Sequence, residues 1–163
     1  MELITNKGEN LQELAVKGKV LLIFLRHFGC TFCRETMCDI ERNRTAIESE
    51  GIKIVLVHMT ATHLADRYLD IYNLGSVSHI SDPEKELYAS YGLKKGSFAE
   101  LFGFRSAIRT FFVAIFKGHL PGRPAGDPKQ MPGIFLLKNN KIISQVNYSF
   151  AGQKPNFKNF LVH

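Results

Sequence analysis

Val20-Leu21-Leu22-Ile23-Phe24-Leu25 is apolar at every position and leads, across Arg26-His27-Phe28-Gly29, into Cys30-Thr31-Phe32-Cys33. A strand with one wet face alternates polar and apolar residues. A run without a polar position reads as a strand buried on both faces, as in the centre of an α/β sheet. Residues 31–50 are charged and helix-friendly, and Cys33, Met37, Ile40 and Ile47 fall on one helical face. Gly51 ends that helix, and residues 52–58 form a second buried run. Strand, turn, helix and strand in this order make a βαβ unit with parallel strands and a right-handed crossover.

The flanking sequence extends the same plan. Asn10 and Glu13 form a capping pair, and Gly18 closes a short helix over 11–17. A helix is predicted near 63–73. Residues 78–81 lead into Asp82-Pro83, which reads as an N-cap and first helical turn, with Gly92 as the stop. Near the end, the β-rich runs 133–138 and 141–148 flank Asn139-Asn140, two residues suited to a tight hairpin with positive φ. The fold class is therefore α/β, a central mixed β-sheet flanked by helices, parallel first and antiparallel at the end. Between these parts, residues 98–116 are Phe-rich, with Leu101, Phe104, Ile108, Phe111, Phe112 and Ile115 at helical spacing, and 118–131 is rich in Gly and Pro. We read a helix packed on the sheet followed by a surface loop. The alternative is a helix on a membrane surface or at a protein contact. Arg105 and Arg109 argue against a transmembrane segment. The expected organisation is a single domain over 1–163 with an insertion at about 97–131.

The 163 residues suit one domain, and 45% hydrophobic with 22% charged residues excludes disorder as the ground state. No apolar run approaches the ~18 residues needed to span a bilayer. The start lacks a signal-peptide cleavage pattern, so the expected location is cytoplasmic. Three cysteines do not make a secreted disulfide framework. The net charge of +6 is uneven: residues 1–93 hold 10 Lys/Arg against 13 Asp/Glu, and residues 94–163 hold 11 against 2. A basic half attracts anions in general. No RNA-binding aromatic signature or helix-turn-helix pattern accompanies it, so no nucleic-acid partner is expected and a solvated basic face is the plain reading.

Cys30 and Cys33 sit where a buried strand gives way to a helix. Unpaired amides and the positive end of the helix dipole favour a thiolate there. Arg26, His27 and Arg34 add positive charge. Helix-start Cys-X-X-Cys thiols have pKa values of roughly 3.5–7.5, against ~8.5 for a free cysteine. Cys30 is thus the expected nucleophile. Cys33, three residues on and on the apolar face, is the buried partner that resolves a mixed disulfide. Zinc would want about four ligands, and histidines 27, 58, 63, 79, 119 and 163 are scattered, so no metal is expected. A cysteine protease has no use for a second adjacent thiol. Inert buried cysteines are the remaining alternative. Cys38 lies about 140° round the helix from Cys33, too far for a disulfide, and reads as a packed small residue. Met131-Pro132-Gly133 precedes the last hairpin. The expectation is a cis Pro132 whose neighbouring backbone lies opposite Cys30 and hydrogen-bonds an extended substrate.

A helix-start Cys-X-X-Cys after the first buried strand, with a proline before an antiparallel hairpin, resembles a thioredoxin-like fold. The stretch Phe24-Leu25-Arg26-His27-Phe28-Gly29-Cys30-Thr31-Phe32-Cys33-Arg34-Glu35 resembles, more narrowly, the peroxiredoxin-like branch of the AhpC/TSA superfamily that includes prostamide/prostaglandin F synthase. Ser81-Asp82-Pro83-Glu84-Lys85-Glu86-Leu87-Tyr88 and the segment from Gly126 through Gly133 to Lys138 follow in similar order. The resemblance implies a thiol–disulfide oxidoreductase in which Cys30 is the attacking or peroxidatic thiol and Cys33 resolves it. The implied substrates are a small-molecule peroxide, organic or lipid, or a protein disulfide. No bound cofactor is implied; reducing equivalents come from thioredoxin, glutathione or NADPH, a redoxin being the implied donor. Typical peroxiredoxins carry Thr three residues before the peroxidatic Cys, where His27 stands here. That departure weighs against efficient peroxide reduction and leaves disulfide chemistry untouched. The alternative from another class is a redox-silent membrane-surface or protein-interaction module using the Phe-rich helix. Oligomeric state is open.

Overall fold

The computed structural model describes residues 3–26, 28, 31–96, 127, 129–146, 148 and 153–161. The apolar run becomes β1 (Lys19–Phe24), flanked by β2 (Ile52–His58), β3 (Ser78–Ser81), β4 (Gly133–Lys138) and β5 (Lys141–Val146) in one sheet of order β3-β2-β1-β4-β5. β1 pairs parallel with β2, and β2 with β3; β4 runs antiparallel to both β1 and β5. The sheet is mixed, and its central strand is apolar on both faces for a reason. Leu21 and Ile23 point into a core formed with Met37, Ile40 and Ile47 of α2 (Thr31–Ser49) and Ala65 and Leu69 of α3 (Thr62–Ile71). Val20, Leu22 and Phe24 point the other way, onto Leu11 and Ala15 of α1 (Leu11–Lys17) and Leu87 and Tyr88 of α4 (Glu86–Ser90). Two cores need apolar residues on both faces, which abolishes alternation.

Local signals act where they were read, with one shift. Asn10 Oδ1 accepts from the amides of Gln12 (2.9 Å) and Glu13 (3.4 Å) and caps α1. Asn139 and Asn140 take φ of 50° and 58° and close the last hairpin, as left-handed asparagines do. The helix expected from Asp82-Pro83 begins only at Glu86. Lys85 takes a left-handed φ of 62°, and the chain folds back so that the Asp82 carboxylate accepts from the amides of Glu86, Leu87 and Tyr88 at 2.9–3.1 Å. Asp82 still caps, from one turn further out. Phe157 and Phe160, on a final 3-10 turn (Phe157–Phe160), seal the α2/α3 core, a contribution without a periodic signal in so short a segment. No helix among the described residues is long and apolar enough to cross a membrane.

Candidate active site at the start of the second helix

β1 ends at the start of α2, and the segment entering β4 arrives beside it because β4 pairs antiparallel with β1, Gly133 opposite Phe24. Four expected site residues meet at this corner. Cys33 is buried, 4% exposed, and its Sγ accepts the backbone N–H of Arg26 at 3.3 Å. The Arg26 side chain is also buried and its Nε donates to the carbonyl of Gln130 at 3.1 Å. Arg26 therefore ties the end of β1 to both the cysteine and the segment before β4. Met131 packs against Phe32 and Cys33, with Tyr148 partly buried on the same cluster. Pro132 and Tyr148 line a slit over Cys33 with room for little more than one water, about 10 Å³.

Arg34 turns back toward the preceding loop, its Nε 3.5 Å from the carbonyl of Phe28. His27 and Cys30 lie outside the described residues, as does 97–126, which holds the Phe-rich stretch and most of the Gly/Pro-rich loop. The expected cis bond is not formed: no peptide bond among the described residues is cis, so Pro132 is trans. Trans is the more stable X–Pro isomer by ~0.5–1 kcal/mol. Here Gln130 pairs with Lys95 and the Met131 amide donates to the Lys94 carbonyl, so the chain reaches β4 already held in place.

Two phenols flank Cys33. Burial, with a smaller contribution from Cys33, pushes both Tyr88 and Tyr148 up, so each stays neutral across the working pH range. The Tyr88 hydroxyl bridges the carbonyls of Leu25 and Val57 and joins β1 to β2 just before the cysteine turn. Cys38 is half-buried and reduced, and burial pushes its thiol up.

A second polar cluster escaped the sequence because its members meet only through strand pairing. His58 at the end of β2 and His79 of β3 lie 2.8 Å apart, Nε2 to Nδ1, and His79 Nε2 is 2.8 Å from Asp66 Oδ1 of α3. The Thr60 amide donates to His58 Nδ1 at 3.3 Å. That fixes the tautomers: His58 Nε2–H donates to His79, and His79 Nε2–H donates to Asp66. Burial, then the neighbouring His79, lowers His58 to about 4. Phe28, two residues before Cys30 in sequence, stacks on Tyr68 at 4.8 Å and touches the His58 ring at 5.5 Å. The cluster thus packs against Phe28. Among the described residues, no three His, Cys, Asp or Glu side chains are grouped to hold a metal ion.

Beside the slit, a groove of about 430 Å³ runs between the end of α4 and β4/β5. Lys94, Lys95, Leu93, Phe135, Val146 and Gln145 line it, and Pro132 and Tyr148 belong to both groove and slit.

Comparison with known proteins agrees with this fold. Residues 1–146 match the AhpC/TSA family. Peroxiredoxin-like 2C of Bos taurus is 22% identical over 85 residues, which cover 52% of this chain and 37% of that protein. The Homo sapiens protein of the same name is 23% identical over 79 residues, covering 48% and 34%. The matched stretch thus spans about a third of these relatives. Peroxiredoxin 6 of Arenicola marina, in a cysteine-to-serine mutant form, superposes with a TM-score of 0.65 at 14% identity, covering 99% of this chain and 66% of the other. The BcpB peroxidoxin of Mycobacterium tuberculosis gives 0.62 at 14% identity, covering 93% and 83%. A thiol:disulfide interchange protein, DsbE, of Chlorobium tepidum gives 0.56 at 18% identity, covering 89% and 78%. With its mixed sheet and its Cys33 corner, the chain is a peroxiredoxin-like protein of thioredoxin fold and belongs to the AhpC/TSA family.

Proposed function

We infer that the protein is a thiol oxidoreductase that reduces a peroxide or a disulfide through Cys30 and Cys33. The observation that carries this reading is the setting of Cys33: buried in the first turn of α2, held by the Arg26 amide, and walled by the segment that enters β4. A sulfur so placed is shielded from solvent reagents, as befits the thiol that reacts second. Cys30, at the preceding helix start, is the attacking thiolate. On a disulfide it forms a mixed disulfide and expels one thiolate, and Cys33 then displaces the second while closing the Cys30–Cys33 bond. On a peroxide it takes one oxygen, releasing an alcohol, and becomes a sulfenic acid; Cys33 condenses with it and water leaves. Either route oxidises the dithiol by two electrons, which an external dithiol or glutathione returns. Family membership supports both routes. We place the protein in a reducing compartment, the cytoplasm, where thioredoxin, glutathione or an NADPH-fed reductase supplies those electrons.

The test is a panel of hydrogen peroxide, a lipid hydroperoxide, a prostaglandin endoperoxide and insulin disulfide, with thioredoxin, glutathione or NADPH as donor. Turnover is expected with at least one substrate and is abolished by Cys30→Ser, while Cys33→Ser halts the cycle after one turnover. Turnover that survives Cys30→Ser, or none with any substrate, overturns the reading.

A further inference from the structure

We propose that the groove beside Pro132 holds the non-reacting part of the substrate, and that it selects an organic anion with an apolar body. The inference deepens the redox reading and rests on it for the identity of the reacting end.

The groove's volume, about 430 Å³, lies in the range of small-molecule sites. One wall is apolar and rigid. Phe135 packs edge-on against Phe24 at 5.6 Å and Tyr91 at 4.9 Å, so its ring is fixed from behind. Leu93 lies over it because residue 133 is glycine: a Cβ there would stand 2.6 Å from one Leu93 methyl and 2.9 Å from the Phe135 ring. Val146 of β5 continues the surface.

The rim is cationic. Lys94 and Lys95 line it, and among the described residues no carboxylate does. Asp127 is 2.8 Å from Lys85 and 3.9 Å from Lys95, and those ion pairs, led by the Lys85 hydrogen bond, lower its pKa. The Lys94 ammonium has no ion-pair partner among the described residues. The charged residues among the described lining are Lys94 and Lys95, both positive. An exposed ammonium gives modest attraction alone. Beside an apolar wall it discriminates among apolar molecules by the charge of their headgroup.

Access keeps the body of a ligand in the groove away from Cys33. The slit over Cys33 admits about 10 Å³, so a ligand body cannot enter it. Pro132 and Tyr148 separate the two spaces and belong to both. Tyr148, neutral through burial, does not repel an anion lying against it. A substrate anchored by its acid at Lys94 lays its body along Leu93, Phe135 and Val146, with its far end at the mouth of the slit.

The experiment titrates reduced protein with dodecanoate, dodecanol or dodecylamine, all non-reactive, below their micelle concentrations and at low salt. Binding is read by calorimetry and by amide shifts. Dodecanoate is expected to bind at least ten-fold tighter than dodecanol and to shift Leu93, Phe135 and Val146, with no saturable binding of dodecylamine. Lys94→Glu should weaken dodecanoate binding ten-fold or more, whereas Lys138→Glu, outside the groove, should not. Equal binding of alcohol and acid, shifts confined to another surface, or indifference to Lys94→Glu overturns the proposal. Binding is measured without turnover, so the two readings fail separately. A protein that binds dodecanoate but reduces nothing refutes the redox reading, and one that turns over without binding it refutes the groove.

Discussion

The backbone amide of Arg26 donates to Cys33 Sγ, while the side chain of the same residue donates to the carbonyl of Gln130. One residue therefore sets the distance between the buried thiol and the segment that walls it. Replacing Arg26 by Met keeps the amide but leaves a buried carbonyl without the guanidinium. A hydrogen bond from a charged group contributes about 1.5–3 kcal/mol. We expect Arg26→Met to lower stability by about 2 kcal/mol in urea unfolding at unchanged m-value, and to slow closure of the Cys30–Cys33 disulfide, followed by quenched mass spectrometry.

His58 gives the fold a pH dependence of known sign. Its folded pKa is lowered from 6.5 to about 4, so between those values the unfolded chain binds the proton and the folded chain does not. Stability is fully present above pH 6.5 and falls as the pH drops toward 4, with no further loss from this group below that. A shift of this size corresponds to a loss on the order of 3 kcal/mol. Urea unfolding at pH 7 and pH 4.5 should show that drop in the wild type and a smaller one in His58→Gln. Equal slopes in the two proteins would remove His58 as the source.

Asn140 holds a φ of 58° in the turn joining β4 and β5. Glycine adopts that conformation without steric penalty, and Asn-Gly is the preferred pair for this turn. Asn140→Gly should raise stability by about 0.5–1 kcal/mol, a rise in Tm of about 1–4 °C by calorimetry for a chain of this length.

Asp82 accepts three amides at the start of α4. No other described side chain takes these three donors, so Asp82→Ala strands them. The expected loss is about 1–2 kcal/mol, the upper range for an N-cap. Asp82→Asn, which retains one acceptor oxygen, should recover part of it in the same thermal melt.

The sheet was legible because its information is local. Six consecutive apolar residues at 20–25 admit few explanations, and Asn139-Asn140 specify a turn by backbone conformation alone. Cys33, Arg26, Met131 and Pro132 could be assigned to one corner because the βαβ order and the final hairpin bring strand end, helix start and strand entry together. The isomer of Pro132 was not legible: the contacts of Gln130 and Met131 with Lys94 and Lys95 decide how the chain reaches β4, and they join residues far apart in sequence. The helix expected to follow an N-cap at Asp82 began three residues later because one left-handed residue, Lys85, reshapes the turn. The His58–His79–Asp66 chain needed the register of β2 on β3, and the groove needed Gly133 under Leu93. Neither leaves a pattern along the chain.

Lys95 pairs with Gln130, and the Gly96 amide donates to the Lys129 carbonyl at 2.7 Å. These contacts form a clasp at the neck of the connection between 96 and 127, on the domain side of it. The points where that connection leaves and rejoins the domain are consequently held side by side. Doubling a connection's length adds only about 0.6 kcal/mol of closure entropy. Residues 95–96 and 129–130 therefore act as a doorway of fixed width, and the length of chain hung from it costs the domain little closure entropy.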